Sequence, residues 1–269
     1  MAVMQPNPIS LVGDPIERMI EKYNRANGIK EFWRPKFEEC FEYAMPSRET
    51  FYNQSIGTNR TDKIFDETAV TGVQEFASRL QAGIVPNYAR WADFVAGTDI
   101  PEDERAQVNA QLDNITSYIF EILQNSNFSQ EIHESFLDLA VGTGALLVEE
   151  GDAIEPIRFT AIPLPHLTLD AGPNGKVDCV YRDRNIRSSN ILIAYPEADL
   201  PFEIKRSLTE GKDMFCHLIE GVHRDYSNVN EEAYIYTVFS KKYKHILLQK
   251  RFKGQGSNPY VVFRWGKSS

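Results

Sequence analysis

Cysteine and histidine are the side chains to check first for chemistry, and three of them fall close together: Cys216, His217 and His223. That grouping suggests zinc. A structural zinc site takes four ligands at paired spacings, however, and adjacent residues on a strand point to opposite faces. Cys216 and His217 therefore cannot share one ion, and no metal site is assigned. His166 ends a proline-bracketed run, Pro163-Leu164-Pro165-His166, which reads as a surface turn. Ala140-Val141-Gly142-Thr143-Gly144-Ala145 contains Gly-x-Gly. A dinucleotide loop needs a strand before it and a helix after it. Here a helix precedes and a strand follows, the third glycine is missing, and no Gly-Lys-Ser/Thr comes after. The run reads as a helix C-cap and tight turn. There is no Gly-x-Ser-x-Gly and no His-Glu-x-x-His. Arg182 and Arg184 share one strand face, with Asp183 on the other. Such a pair suits a phosphate or a neighbouring subunit's acid, but a solvated sheet edge explains it more simply. No catalytic residue and no cofactor is assigned. The alternative is an enzyme with a pocket between helical and strand halves, using His166, His217 or His223 with nearby acids.

The elements that carry these residues predict an α+β fold, helical first and strand-rich after. Asp14-Pro15-Ile16-Glu17 is a helix start, with an N-cap, a first-position proline and an early carboxylate. Asn27-Gly28 ends that helix in a left-handed cap, and Pro35 opens a second helix carrying Phe37, Cys40, Phe41 and Ala44. Arg48 to Arg60 is polar and aperiodic, so it reads as a loop. Phe65, Ala69, Val73, Phe76 and Leu80 mark a third helix, stopped by Gly83 and Pro86. A fourth opens at Pro101 with Glu102, Asp103 and Glu104 in its first turn, where the helix dipole favours acids. Its stripe is Val108, Leu112, Ile115, Ile119 and Ile122. Asn127 caps a fifth helix with Phe128, Ile132, Phe136 and Leu139 on one face.

The period then shortens. Ala145 to Val148 reads as a strand. Ile157–Ile162 and Lys176–Ile186 read as strands around a turn at Gly172-Pro173-Asn174-Gly175. Short helices are expected from Ser188 to Ala194 and from Pro201 to Leu208. Strands follow over Met214–Tyr226, Ala233–Ser240, Lys244–Phe252 and Tyr260–Trp265, arranged as hairpins or a small barrel. The predicted division is 1–144, helical, and 145–269, strand-rich.

Composition sets outer bounds. The chain has 269 residues, enough for a sizeable core. It carries 38 acidic against 29 basic residues, a net charge of -9. A free-standing nucleic-acid binder usually has the opposite sign. The charge is uneven: from Ala233 onward there are eight basic residues and no acid. The simpler reading is that these hairpins face the chain's own acidic part. Three widely spaced cysteines, Cys40, Cys179 and Cys216, do not form a disulfide framework and fit a reducing compartment. No apolar run approaches the roughly 18 residues of a membrane span, and Met1 to Ser10 lacks signal-peptide character. A soluble protein made in a cytoplasm is expected.

Pro86-Asn87-Tyr88-Ala89-Arg90-Trp91-Ala92-Asp93-Phe94 packs three aromatics and an arginine into nine residues. Tyr, Trp and Arg are typical anchors of protein interfaces. Tyr88, Arg90, Trp91 and Phe94 are accordingly the candidate subunit-interface residues. The other reading, that Trp91 and Phe94 plug the helical core, stays open.

A family resemblance runs along nearly the whole chain. Asp66-Glu67-Thr68-Ala69-Val70-Thr71-Gly72-Val73-Gln74-Glu75-Phe76-Ala77-Ser78-Arg79-Leu80 resembles the signature helix of head-to-tail connector (portal) proteins of T7-like short-tailed phages. The 86–94 loop, the run Ala140 to Glu149, the run Ile162 to Asp170, the turn Gly172 to Val177 and the strand Arg182 to Ile186 are similar to theirs, in the same order. The resemblance implies a ring, usually of twelve subunits, at one vertex of the phage head. Double-stranded DNA passes through its channel during packaging and ejection. Terminase, capsid protein and a tail adaptor are the implied partners, and the ring itself hydrolyses nothing. It implies the virion portal vertex as location, after assembly in the host cytoplasm. Family members are much longer. In them a strand like Pro259 to Trp265 leads into a channel helix, a clip and further wing and crown. The resemblance covers the N-terminal, wing-forming part, with stem, clip and crown absent. A fragment, a truncated gene product and a separately supplied remainder all fit; a further alternative is a modulator that binds full-length portal subunits through the same wing surfaces.

Overall fold

The structure is a computed structural model describing residues 14–48, 64–172, 175–227, 231–254 and 256–266. Along the chain the helices are α1 (Pro15–Ala44), α2 (Thr68–Ile84), α3 (Glu102–Asn125), α4 (Phe128–Val141), α5 (Ser188–Ala194) and α6 (Phe202–Thr209). The strands are β1 (Thr143–Glu150), β2 (Ile157–Ala161), β3 (Leu167–Ala171), β4 (Val177–Arg187), β5 (Phe215–Arg224), β6 (Ala233–Ser240), β7 (His245–Lys253) and β8 (Tyr260–Arg264). The fold is α+β, as expected. The reading of Met1 to Ser10 and of the loop beyond Arg48 lies outside the described residues. The chain changes from helix to strand near residue 144, but its two compact units interleave across that point. One unit comprises residues 1–35 and 166–258, the other 36–165 and 259–269.

The first unit is built on a five-stranded antiparallel sheet in the order β3-β4-β5-β6-β7. Strand alternation sends Tyr181, Ile219 and Phe239 to one face, where Ile16, Met19, Tyr23 and Ala26 of α1 cover them. Ile186, Cys216, Leu218 and Val238 lie in the core on the other side, under Ile191, Tyr195, Leu200 and Ile204 of the α5–α6 region. Gly221 is required on β5, because a Cβ there would press within 2.7 Å of the Tyr181 ring. Gly211, at φ +70°, ends the turn after α6, and Lys212 N–H returns to the Ser207 carbonyl.

The start of α1 is as expected, with Asp14 Oδ1 accepting the Ile16 N–H at 3.2 Å. Its end is not. The two expected helices are one, running through Gly28 and with Pro35 inside it. Local propensity would break the chain twice, at about 1 kcal/mol for the glycine and 3 kcal/mol for the proline. Buried residues on both sides of Pro35, from Ile16 to Ala26 and then Phe41, hold the helix together instead.

A second correction concerns the hairpin at Gly172–Gly175. β4 pairs across it with β3, not with the strand at 157–162. β3 follows the short 3-10 turn Leu164–His166, so the proline-bracketed run conceals it. The expected self-pairing of the basic C-terminal hairpin is present. Lys244 meets Glu17, Lys250 meets Glu197, Arg251 meets Asp225 and Glu231, and Lys253 meets Glu231.

The second unit holds α2, α3, α4 and the three-stranded sheet β2-β1-β8. Here α4 is the central helix, burying Ile132, Phe136, Leu137 and Leu139. Gly144 lets β1 approach it closely. A Cβ there would strike the Phe263 ring and come within 2.7 Å of the Ser135 carbonyl. Gly142 does sit at the α4 C-cap, but at φ -170° it is extended, so the left-handed cap is not formed. Asn127 precedes α4 without making a side-chain cap. Its amide donates to the Phe159 carbonyl at 2.7 Å and accepts the Phe159 N–H at 3.0 Å. Glu131 accepts the Ala161 N–H at 2.6 Å. These two side chains take the place of a further strand along the outer edge of β2.

Candidate subunit interface and the placement of the chemical residues

The layer formed by α2, the 86–100 connection and α3 buries little. Between residues 64 and 125, only Ala77, Val85, Thr116 and Phe120 are buried. In the α3 stripe of Val108, Leu112, Ile115, Ile119 and Ile122, Ile115 is exposed and the other four are half-buried. Helix α3 turns Thr116 and Phe120 inward instead. Thr116 donates to the Leu112 carbonyl at 2.8 Å and accepts the Phe94 N–H at 3.3 Å.

The aromatic connection is held firmly to α3. Arg90 bridges Asp93 and Asp113 and donates to Ser117 Oγ at 3.3 Å. Ala96 N–H donates to Asn109 Oδ1 at 2.8 Å. Trp91 packs edge-on against Phe120, with centroids 5.3 Å apart, and stacks on Phe128 at 6.3 Å. It still exposes 41% of its surface, while Phe94 exposes 54% and Tyr88 84%. Trp91 has one flank in the core, and Tyr88 and Phe94 face outward. Beside Trp91 lies a pocket of about 210 Å³, walled by Val85, Phe120, Leu123 and Phe128. Its polar wall includes Ser129, whose Oγ receives Asn87 at 2.6 Å and Gln81 at 3.1 Å. Residues 64–125 carry ten acidic and three basic side chains.

The residues suspected of chemistry are placed elsewhere and do not converge. Cys216 is buried in the core on the α5–α6 side. His217 faces away from it and approaches Asp183 at 3.3 Å. His223 is six residues further along β5, about 20 Å on an extended strand. Burial pushes the His223 imidazole down to about 4, and its Nδ1 has no partner among the described residues. His166 ends the 3-10 turn. Among the described residues no group of three or more His, Cys, Asp or Glu could hold a metal ion.

Arg182 and Arg184 are not on a solvated edge, because β4 is flanked by β3 and β5. Both reach the buried Glu220, Arg184 at 2.7 Å and Arg182 at 3.6 Å, and the Tyr195 hydroxyl also donates to it. Asp183, on the opposite face, accepts from Tyr23 at 2.7 Å. Burial opposes its charge, yet hydrogen bonds from His217 and Tyr23 and the nearby Lys30 keep its carboxyl below the usual range.

A further buried carboxylate is Asp138 on α4, fully enclosed. Its Oδ2 takes Arg48 Nη2 at 2.9 Å and the Leu164 N–H at 3.3 Å, and Oδ1 has no partner among the described residues. Burial raises it to about 6, against the pull of Arg48. Neither carboxylate was visible in the sequence as special, since its partners lie tens of residues away.

Among the described residues these titratable side chains do not converge on one site. A family model for bacteriophage head to tail connecting proteins matches residues 17–269, so the chain belongs to that family. A curated relative, the "Probable portal protein" of Bordetella phage BPP-1, is 27% identical over 179 residues. The match covers 65% of this chain and 32% of that protein, so the chain spans about a third of the length of its relative.

Proposed function

We propose that this chain is a structural subunit of a phage portal ring, the head-to-tail connector at one vertex of the head. The ring forms the channel through which double-stranded DNA enters during packaging and leaves during ejection. It is not an enzyme. Terminase, capsid protein and a tail adaptor are its partners at the virion portal vertex, and twelve is the expected subunit number. A short-tailed phage is the expected source, with assembly in the host cytoplasm.

The observation that carries this reading is the match to the connector family across residues 17–269. The α2–α3 layer supports it from the structural side, because the exposed Ile84, Tyr88, Phe94, Ile115 and Tyr118 offer apolar area that a ring subunit can bury against a neighbour. Tyr88, Arg90, Trp91 and Phe94 belong to this layer and are the proposed subunit-contact residues. The acidic balance suits a channel through which DNA slides, since a wall rich in cations would grip phosphate. Among the described residues no helix is long and apolar enough to cross a membrane.

Native mass spectrometry of the 30.7 kDa chain at low and moderate salt tests the proposal. A closed ring near twelve subunits is the expected species. A clean monomer at every concentration would count against this chain carrying ring assembly.

A further inference from the structure

One long helix belongs to both compact units. α1 runs unbroken from Pro15 to Ala44, and the boundary between the units falls inside it, between Pro35 and Lys36. The chain crosses that boundary at two other places. One lies within the 3-10 turn Leu164–His166, and the other falls between Asn258 and Pro259, ahead of β8. Neither crossing lies in an α-helix or a strand, so α1 is the regular element that has to bend if the units change their angle.

Each end of α1 is anchored in its own unit. Ile16, Met19, Tyr23 and Ala26 are buried over the first unit's sheet, and Tyr23 donates to Asp183 at 2.7 Å. Phe41 and Met45, of the second unit, are buried, and Arg48 pairs with Asp138 at 2.9 Å. From residue 27 to residue 40 the helix has no buried residue. Within that stretch Lys30 still reaches Thr168 of the first unit, at 3.4 Å. The Phe37 ring already lies beside Gly142 of the second, 3.2 Å from where a Cβ would stand. Residues 31–36 lie between these two holds, and Glu31, Phe32, Trp33, Pro35 and Lys36 are exposed.

Most helical stability in a folded protein comes from packing, and this stretch receives little of it. It also contains the residue that a helix interior tolerates least. Pro35 has no N–H to give the Glu31 carbonyl, and its ring crowds that carbonyl. Sharp kinks in long helices form at such gaps. The Glu31–Arg34 ion pair, at 3.2 Å, lies wholly before the proline and does not brace it. The helix is therefore weakest where one unit ends and the other begins along the chain.

We propose that residues 31–36 of α1 are a hinge centred on Pro35, at which the helix bends while each unit keeps its own core. Bending there turns the two anchored ends of α1 against each other without unpacking Ile16 to Ala26 or Phe41. The hinge is a property of the single chain and does not rest on the ring reading.

The test measures distances between spin labels in the full chain, with the exposed Cys40 and the half-buried Cys179 replaced by serine. The labelled chain is diluted in excess unlabelled chain, so that only distances within one molecule count. Glu203→Cys with Glu121→Cys spans the two units. Glu203→Cys with Glu21→Cys lies in the first unit, and Glu121→Cys with Glu75→Cys in the second. The expected distance distribution of the spanning pair is about twofold broader than that of either inner pair. Pro35→Ala should narrow it to the inner width, and Lys36→Gly, at an exposed position, should broaden it further. A spanning distribution as narrow as the inner ones would overturn the hinge, as would a broad one that neither substitution changes.

Discussion

The five-stranded sheet and the α2–α3 layer treat their apolar residues in opposite ways. The sheet is covered on both faces: α1 closes over Tyr181, Ile219 and Phe239, and the α5–α6 region closes over Ile186, Leu218 and Val238. The α2–α3 layer has equally regular stripes, yet α3 buries only Thr116 and Phe120 along 24 residues. An amphipathic pattern records that a face will be covered, not that its own chain will cover it. We infer that a stripe clear in the sequence and only half-buried in the described residues is completed by another molecule.

Substitutions on the covered side should therefore act on stability, and those on the open side on assembly. The largest effect is expected at Arg48. Arg48→Ala leaves the enclosed Asp138 carboxylate without its cation, at about 3–5 kcal/mol by chemical denaturation. The loss should be smaller at pH 5 than at pH 8, because acid neutralises the orphaned group. In the sheet, Leu218→Ala opens a cavity in a fully buried position and should cost about 2–5 kcal/mol.

Acid should separate the two units, and the signs differ. His223, held neutral at about 4 against an ordinary 6.5, contributes stability that is present above pH 6.5 and is lost as pH falls toward 4. Asp138, raised to about 6 from 3.8, contributes stability that is present below 3.8 and is lost as pH rises through 6. Between pH 7 and pH 5, hydrogen exchange should speed up in β5 and slow down in α4. His223→Phe should remove the first trend and Asp138→Asn the second. A common response of both units would break the contrast.

The smallest effects on stability belong to the open layer. Ile115→Ser and Tyr118→Ala should shift the denaturation midpoint by no more than the equivalent of about 0.5 kcal/mol. They should nevertheless weaken self-association clearly in sedimentation. Trp91→Ala should do both, since one flank of its ring packs on Phe120 and Phe128 and the rest is exposed.

Much of this was legible in the sequence. Periodicity located α2, α3 and α4 and most strands, although in α3 the periodic residues are not the ones that become buried. The loop from Pro86 to Phe94 stood out by residue type alone. What sequence could not reveal was decided by packing across long separations. Gly28 and Pro35 signal two breaks in α1, and buried contacts on both sides override them. Asn127 has the look of a helix cap and serves as a strand partner for Phe159 instead. Arg182 and Arg184 look like edge charges until Glu220, on the neighbouring strand, is seen between them. The acids of residues 64–125 were countable, but that the apolar stripe among them stays only half-buried needed the fold.

The most direct test of the central claim is hydrogen exchange of the unsubstituted chain at low and high protein concentration. Exchange in α3 and in residues 86–95 should slow markedly as concentration rises, while β4, β5 and β6 stay unchanged. Association that leaves α3 as exchangeable as in the dilute chain would contradict the account.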